Sequence, residues 1–431
     1  MNILMISKSL HYSYTGGIQT HVWKLSRELV KRGHRVTVMI AQNFLRPRQP
    51  FMDEGIEVIP VPYISGQLGF FHLFALDEFS FNYVVLQRLR KMIAGQPHRF
   101  DVVHLQGRNG FLYPRFKKES DPPAVVTFHG TMKNENDAAL TDKKISFRRR
   151  WELKLVQRYA SGIERGLLAN ADGVIAVSKK MSDVMQEEFQ HGREDVDIIY
   201  NGLDVSDYWP APEAKIPFRI ASVARLDPRK GLRFLIEATK TLVAQFPQLT
   251  VHVAGEGNHR PVLEQRIREA GLEEVVFLVG NKSGEALLHH YQQAEIFVLP
   301  SLGESQGIVF MEAMACGLPV VGFNIGGVNE MITSGVEGFL VEIENVPALT
   351  DAIKRLLTDR QAAREMGRRG RQRIESDFQW SLIAGKTEQL YQKLVGKRSP
   401  GSSGIGPIKL NQPAENVLAA HDAVAADRPA R

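Results

Sequence analysis

The chain has a single cysteine, Cys316, in 431 residues, so an internal disulfide framework is excluded and a reducing cytoplasm is the compartment such usage suits. It also lacks any apolar run approaching the roughly 18 residues that a membrane-spanning helix needs. No histidine and aspartate cluster has metal-ligand spacing, so neither a metal nor another cofactor is expected. The three-glycine dinucleotide fingerprint is missing, which argues against a general dinucleotide-binding protein. There is no short-period internal repeat. The first residues do not form a signal peptide. Their short run Ile3-Leu4-Met5-Ile6 reads instead as a strand entering a glycine turn.

What remains is an ordinary globular composition, 43% hydrophobic and 24% charged, long enough for two domains with full cores. The net charge of +6 suits an anionic partner, whether membrane face, nucleic acid or phosphorylated substrate. Part of that charge is concentrated. Lys143, Lys144, Arg148, Arg149, Arg150, Lys154 and Arg158 stand against only Asp142 and Glu152, with Phe147, Trp151, Leu155 and Val156 interleaved at helical spacing.

Short apolar runs alternate with helical stretches along the first half. Strands are expected at residues 2–7, 36–41, 56–61, 102–106, 124–128, 174–177 and 196–200. A turn at Asn201-Gly202-Leu203-Asp204 and a proline-bearing connection through Pro210, Pro212 and Pro217 follow. The pattern then restarts, with strands expected at 219–224, 251–254, 275–279, 296–299, 320–322 and 339–341. The expected fold is α/β: two Rossmann-like, doubly wound parallel sheets facing across a cleft. The expected boundaries are an acceptor-side domain at 1–203, a donor domain at 204–379, a helix at 380–395 and a disordered tail at 396–431.

The most informative stretch runs from Pro300 to Val321. Glu304 and Glu312 stand eight positions apart across a glycine-bearing loop. Eight helical residues climb about 12 Å and turn by roughly 80° net, so one helix could not aim both carboxylates at one ligand. Glu304 is therefore expected in the loop and Glu312 two turns into the following helix. Free N–H groups near Gly307 and Ile308 would face an anion. A diphosphate at the helix start with hydroxyls on both sides describes a nucleotide-sugar.

This pattern resembles the donor signature of retaining glycosyltransferases with the two-Rossmann-domain GT-B fold, specifically the GT4 family. The resemblance covers residues 1–395, because further motifs recur in order. It implies that Glu304 orients sugar hydroxyls and Glu312 the ribose, with Ser305, Gln306, Gly307 and Ile308 lining the donor. In Val223-Ala224-Arg225-Leu226-Asp227-Pro228-Arg229-Lys230-Gly231, the family's Arg and Lys, here Arg225 and Lys230, neutralise the leaving diphosphate. Gly16 and Gly17, one turn before His21, approach the donor. His129, ending Thr127-Phe128-His129, contacts the donor sugar near its reacting carbon. Asn281 lies where relatives approach the nucleobase. Two positions depart from the family. Gln306 replaces a frequent aromatic, and Gln106 stands where many relatives place a second histidine.

The implied function is a metal-independent retaining glycosyltransferase that moves a sugar from a nucleoside diphosphate to a hydroxyl, in glycolipid or polysaccharide assembly. Its expected partners are a nucleoside-diphosphate sugar and a glycan or lipid-linked acceptor, without nucleic acid. The 143–158 segment adds an anionic membrane surface, which would make the enzyme peripheral on the inner face of the membrane. The alternatives are a non-catalytic nucleotide-sugar binding protein or a sugar-nucleotide epimerase on the same fold.

Overall fold

A computed structural model of the chain describes residues 1–10, 17–43, 49–63, 74–96, 98–133, 146–189, 193 and 195–397. The expected tail therefore falls, from residue 398 onward, outside the described residues, as do Gly16, Lys143 and Lys144.

The first half contains β1 (Asn2–Ser7), α1 (Gly17–Lys31), β2 (Arg35–Asn43), β3 (Phe51–Asp53) and β4 (Ile56–Tyr63). It continues with α2 (Phe74–Gly95), β5 (Val102–Gln106), α3 (Leu112–Phe116), β6 (Ala124–Phe128) and α4 (Phe147–Asn170). It closes with β7 (Gly173–Ala176), α5 (Lys179–Phe189) and β8 (Val196–Ile198). These strands form one eight-stranded sheet in the order β3-β4-β2-β1-β5-β6-β7-β8.

Continuous apolar runs make these strands because both faces of the sheet are covered. In β1, Leu4 and Ile6 pack with α2, α3, α4 and α5, whereas Ile3 and Met5 pack with α1 on the opposite face. That alternation is the two-residue period of a pleated strand. The exception to the parallel pattern is β3, which pairs antiparallel with β4. Asp53 faces Ile56 across a two-residue turn, Glu54-Gly55, with φ of 44° and 83°. Both positive angles fit a primed hairpin turn. Three residues with an unusual glutamate in the turn left no readable strand signal.

The second half contains β9 (Arg219–Val223), α6 (Leu232–Leu242), β10 (Thr250–Ala254), α7 (Arg260–Ala270), β11 (Val276–Leu278) and α8 (Gly284–Gln292). Then come β12 (Ile296–Leu299), α9 (Ile308–Ala315), β13 (Val320–Phe323), β14 (Gly338–Val341), α10 (Val346–Thr358) and α11 (Arg360–Asp377). Six parallel strands run in the order β11-β10-β9-β12-β13-β14 around a single core. The last helix, α12 (Trp380–Gly396), buries Trp380, Ile383 and Tyr391 against the Ile3 and Met5 face of the first sheet.

The chain thus crosses between the sheets twice, and the crossings touch. The Leu203 N–H donates to the Phe378 carbonyl at 2.7 Å. A Cβ on Gly202 would stand 2.7 Å from the Trp380 ring, so only glycine fits there.

Strand order then locates a site. In the first sheet the direction of winding reverses between β1 and β5, and in the second between β9 and β12. Open α/β sheets bind ligands outside the carboxyl ends of strands at such switch points. At these ends Gly17 opens the helix after β1, Gln106 is the last residue of β5, and the loops after β9 and β12 carry Arg225 with Lys230, and Glu304.

Candidate active site between the two sheets

The loops after β9 and β12 are built into each other. Asp227 accepts the Arg229 N–H at 2.9 Å and starts a short 3-10 turn, Pro228–Lys230. Gly231 closes that turn with φ of 64°, and a Cβ there would lie 1.8 Å from the Pro300 carbonyl oxygen. The Leu302 N–H donates to the Arg229 carbonyl at 2.7 Å. This seam presents Lys230 Nζ to Glu304 Oε1 at 2.7 Å, and Ser301 Oγ donates to the same oxygen at 2.8 Å. Arg225 extends outward, 63% exposed, with one nitrogen 3.0 Å from Asp227. Burial acts to raise the Asp227 pKa, yet hydrogen bonds from Arg229 and the charges of Arg229 and Arg225 hold it below the ordinary range.

Helix α9 begins at Gly307, in the left-handed region at φ of 88°, and no side chain caps it. Its leading N–H groups are thus orphan donors at the positive end of a helix dipole. A Cβ placed on Gly17 would be 3.8 Å from Ile308 Cδ1. Two helix N-termini, one from each sheet's layer, therefore meet across the cleft. Neither has an acidic residue in its first turn. An anion between them would receive N–H donors from both sides.

His129 follows β6, with Nε2 2.9 Å from Gln106 Oε1. An amide oxygen there makes Nε2 the protonated nitrogen and leaves the Nδ1 lone pair as an acceptor. Burial, with smaller contributions from His21 and His104, holds the His129 pKa well below the usual histidine value, so the ring is neutral. The His21 ring lies 4.7 Å away, and its Nδ1 donates to Asn201 Oδ1 at 2.8 Å. Burial pushes His21 down to about 4, against the opposing effect of that hydrogen bond. Asn201 continues the chain of contacts. Its N–H and Nδ2 both donate to Gln306 Oε1 at 2.7 Å, and Gln306 Nε2 donates to the Asn201 carbonyl at 3.1 Å.

That geometry corrects the expectation for Gln306. Its side chain is buried and spent on Asn201 at the crossing between the sheets, so it does not line the donor cleft. Removing it would strand the buried Asn201 amides. Gln306→Ala is expected to cost on the order of 2 kcal/mol, lowering the melting temperature by a few degrees. Adding Asn201→Ala should cost less than the two single changes summed, because they share these bonds, yet more than Gln306→Ala alone, because it also strands His21 Nδ1. A melting temperature within half a degree of wild type would contradict this account.

Glu312 lies about one turn into α9, not the expected two, because the helix starts only at Ile308, and its Oε1 accepts from Tyr208 Oη at 3.0 Å and Oε2 from Tyr291 Oη at 2.6 Å. Burial raises its pKa despite both hydrogen bonds. Each oxygen keeps a second acceptor site, so the carboxylate can still receive a hydroxyl. Asn281 is exposed after β11 with no bonded partner among the described residues, and Ser305 lies half-buried beside Glu304.

Three residues have roles that the sequence reading did not assign. Gln106 positions His129. Asn201 joins the two halves through Gln306. Glu330 accepts the Lys179 and Lys180 N–H groups at 2.7 and 2.8 Å and the Tyr200 hydroxyl at 2.9 Å, capping α5 from the other sheet's side. Partners about 150 positions away carry no local signal. Among the described residues no group of three histidine, cysteine or acidic side chains is placed to hold a metal.

Two doubly wound sheets, joined by two crossings of the chain, make the GT-B architecture. The profile described as Glycosyltransferase Family 4 matches residues 15–207, and Glycosyl transferases group 1 matches 209–373. The chain belongs to this GT4 type of glycosyltransferase. A glycogen synthase of Mycobacterium tuberculosis is 29% identical over 92% of this chain and 95% of its own. A phosphatidyl-myo-inositol mannosyltransferase of Mycolicibacterium smegmatis is 26% identical over 89% and 92%. Among solved structures, sucrose-phosphate synthase of Thermosynechococcus elongatus superposes with TM-score 0.75 at 23% identity, covering 92% of this chain and 99% of that one. Anabaena HepE in complex with UDP-glucose superposes with TM-score 0.66 at 21% identity over 90% and 99%.

Proposed function

We propose that the chain transfers a sugar from a nucleoside-diphosphate sugar to an acceptor hydroxyl, with retention of anomeric configuration and without a metal. The observation that carries this reading is the meeting of two helix N-termini, at Gly17 and Ile308, beside the Lys230–Glu304 pair. The diphosphate would lie on those N–H groups, with Arg225 and Lys230 neutralising the charge that a metal would otherwise take. The acceptor oxygen attacks the anomeric carbon on the face the diphosphate leaves. The carbon–oxygen bond to the diphosphate breaks, and the acceptor proton passes to a departing diphosphate oxygen. Catalysis is then electrostatic and positional. Glu304 and the His129 Nδ1 lone pair accept from sugar hydroxyls, and Glu312 accepts from the ribose. Gly16, Ser305 and Asn281 complete the proposed donor site.

The acceptor is proposed to be a glycan or a lipid-linked glycan, since named relatives include both a glycogen synthase and a lipid mannosyltransferase. Cytoplasmic placement, peripheral on an anionic inner membrane face, is favoured by α4. There Phe147 and Trp151 stand exposed among Arg148, Lys154 and Arg158. Among the described residues no helix is long and apolar enough to cross a membrane.

A panel of UDP-, GDP- and ADP-sugars, with proton NMR of the product, tests the reading. One donor should be consumed, the product should keep the donor's anomeric configuration, and chelator should leave the rate unchanged. Binding without turnover would favour a nucleotide-sugar sensor. An isomerised nucleotide-sugar would indicate an epimerase, and an inverted product would exclude the retaining chemistry.

A further inference from the structure

A groove of about 670 Å³ runs between α2, α3 and α4 on the outer face of the first sheet, away from the strand-end loops just described. Its wall is aromatic and half-exposed. Phe79, Tyr83 and Phe116 are exposed by 49%, 49% and 47%, although an isolated domain would gain by covering them. Its floor is open because α4 carries Gly162 and Gly166 there, and a Cβ on either would meet nothing within 4 Å.

A stripe on α4 leads into the groove. Phe147, Trp151, Leu155 and Tyr159 follow at four-residue spacing, and their exposure falls from 85% through 57% and 46% to 36%. Tyr159, the last of them, lines the groove itself. Two cations, Arg90 and Arg115, belong to the lining, and no carboxylate does among the described residues. Both lie at the Phe116 end. Arg90 donates to the Phe116 carbonyl at 3.1 Å, and the Arg115 guanidinium stands 5.6 Å from the Phe116 ring.

We propose that this groove holds one acyl chain of an anionic membrane lipid, with the headgroup at Arg90 and Arg115, and so fastens the first domain to a membrane surface. Size favours a chain over a partner helix. A helix about 10 Å across would fill about 670 Å³ in under two turns, too little to dock. The volume lies within the range of pockets that enclose a single small molecule. Charge favours an anionic head, because the two arginines have no carboxylate among the lining residues. The inference does not need the transfer reaction. Failure of the donor assay would leave it standing, and its own failure would leave the donor site standing.

The test uses the full chain with cis-parinaric acid, a fluorescent single-chain anion, below its micelle concentration. Fluorescence should saturate at one probe per chain. Lysophosphatidylglycerol should displace the probe more tightly than lysophosphatidylcholine. Gly162→Leu with Gly166→Leu fills the floor and should weaken binding at least tenfold without lowering the melting temperature, since leucine favours a helix over glycine. The same variant should reduce flotation with phosphatidylglycerol vesicles. Arg90→Ala with Arg115→Ala should abolish the preference between the two lysolipids. Absence of saturable binding, or wild-type affinity in the double leucine variant, overturns the proposal. Undiminished flotation of a variant that no longer binds parinarate also overturns it, because the α4 stripe alone would then hold the membrane. A dimer at micromolar concentration that the leucines dissociate would instead assign the groove to a second copy of the chain.

Discussion

Lys230→Ala is expected to lower kcat/KM about a hundredfold while the chain stays folded. A fixed cation on the departing diphosphate stabilises charge that develops only in the transition state, and losing it costs on the order of 3 kcal/mol. The structure complicates the reading, since Lys230 also holds Glu304 at 2.7 Å. Its removal leaves a largely buried carboxylate with only Ser301 as donor. The control is Lys230→Ala combined with Glu304→Gln, which removes both charges. If Lys230 merely steadies Glu304, the double variant should be no slower than Glu304→Gln alone, because nothing is left to steady. If Lys230 acts on the diphosphate, the double variant should be about a hundredfold slower than Glu304→Gln alone. Steady-state kinetics on the donor found by the panel, with matched far-UV spectra and melting curves, decides between them. Wild-type turnover by a folded Lys230→Ala chain would remove the residue from the mechanism.

The second large effect is a loss of stability between pH 7.5 and pH 5. Burial pushes His21 down to about 4 and His104 to about 3, from an unperturbed 6.5. Both are nearly inaccessible, and the hydrogen bonds of His104 go to Tyr391 and Thr127 inside the core. The unfolded chain takes up protons as pH falls through 6.5, while the folded chain refuses them until much lower pH. Stability therefore falls with pH in this window. At pH 5 each ring costs on the order of 2 kcal/mol relative to pH 7.5, about 4 kcal/mol together. His129, also lowered by burial, acts in the same direction. Glu312, raised by burial, opposes it. Urea midpoints measured across the window should fall steadily, and His21→Gln should remove about 2 kcal/mol of the fall. A flat profile would mean that these rings are not held neutral by the fold.

Much of the architecture was readable because its cause is local. Ile3 to Ile6 forms a continuous apolar run, and a strand covered on both faces requires one. Gly231 must be glycine because its φ is positive and the Pro300 carbonyl leaves no room for a Cβ. The placement of Arg225, Lys230 and Glu304 after strand ends was readable because the apolar runs of β9 and β12 stop just before them. Gln306 was misread for a complementary reason. Its type and position suit a donor loop, and nothing nearby in the chain reveals that Asn201, 105 residues earlier, takes both ends of its amide. The groove beside α4 was equally hidden. The basic aromatic segment showed in the sequence, but the open floor at Gly162 and Gly166 depends on where α2 and α3 come to lie.

Apolar period and glycine placement act over a few residues, and from them the class of fold and the paired sheets could be read. Tertiary structure alone decided which residues face one another. It set Gly17 against Ile308, turned Gln306 away from the cleft onto Asn201, and chose the His129 nitrogen that stays free by placing Gln106 beside the other. Those outcomes depend on strand order and on two crossings of the chain, which bring residues 100 to 180 positions apart within hydrogen-bond reach. Hydrogen bonds act over about 3 Å, and no local pattern encodes which distant partner will arrive there.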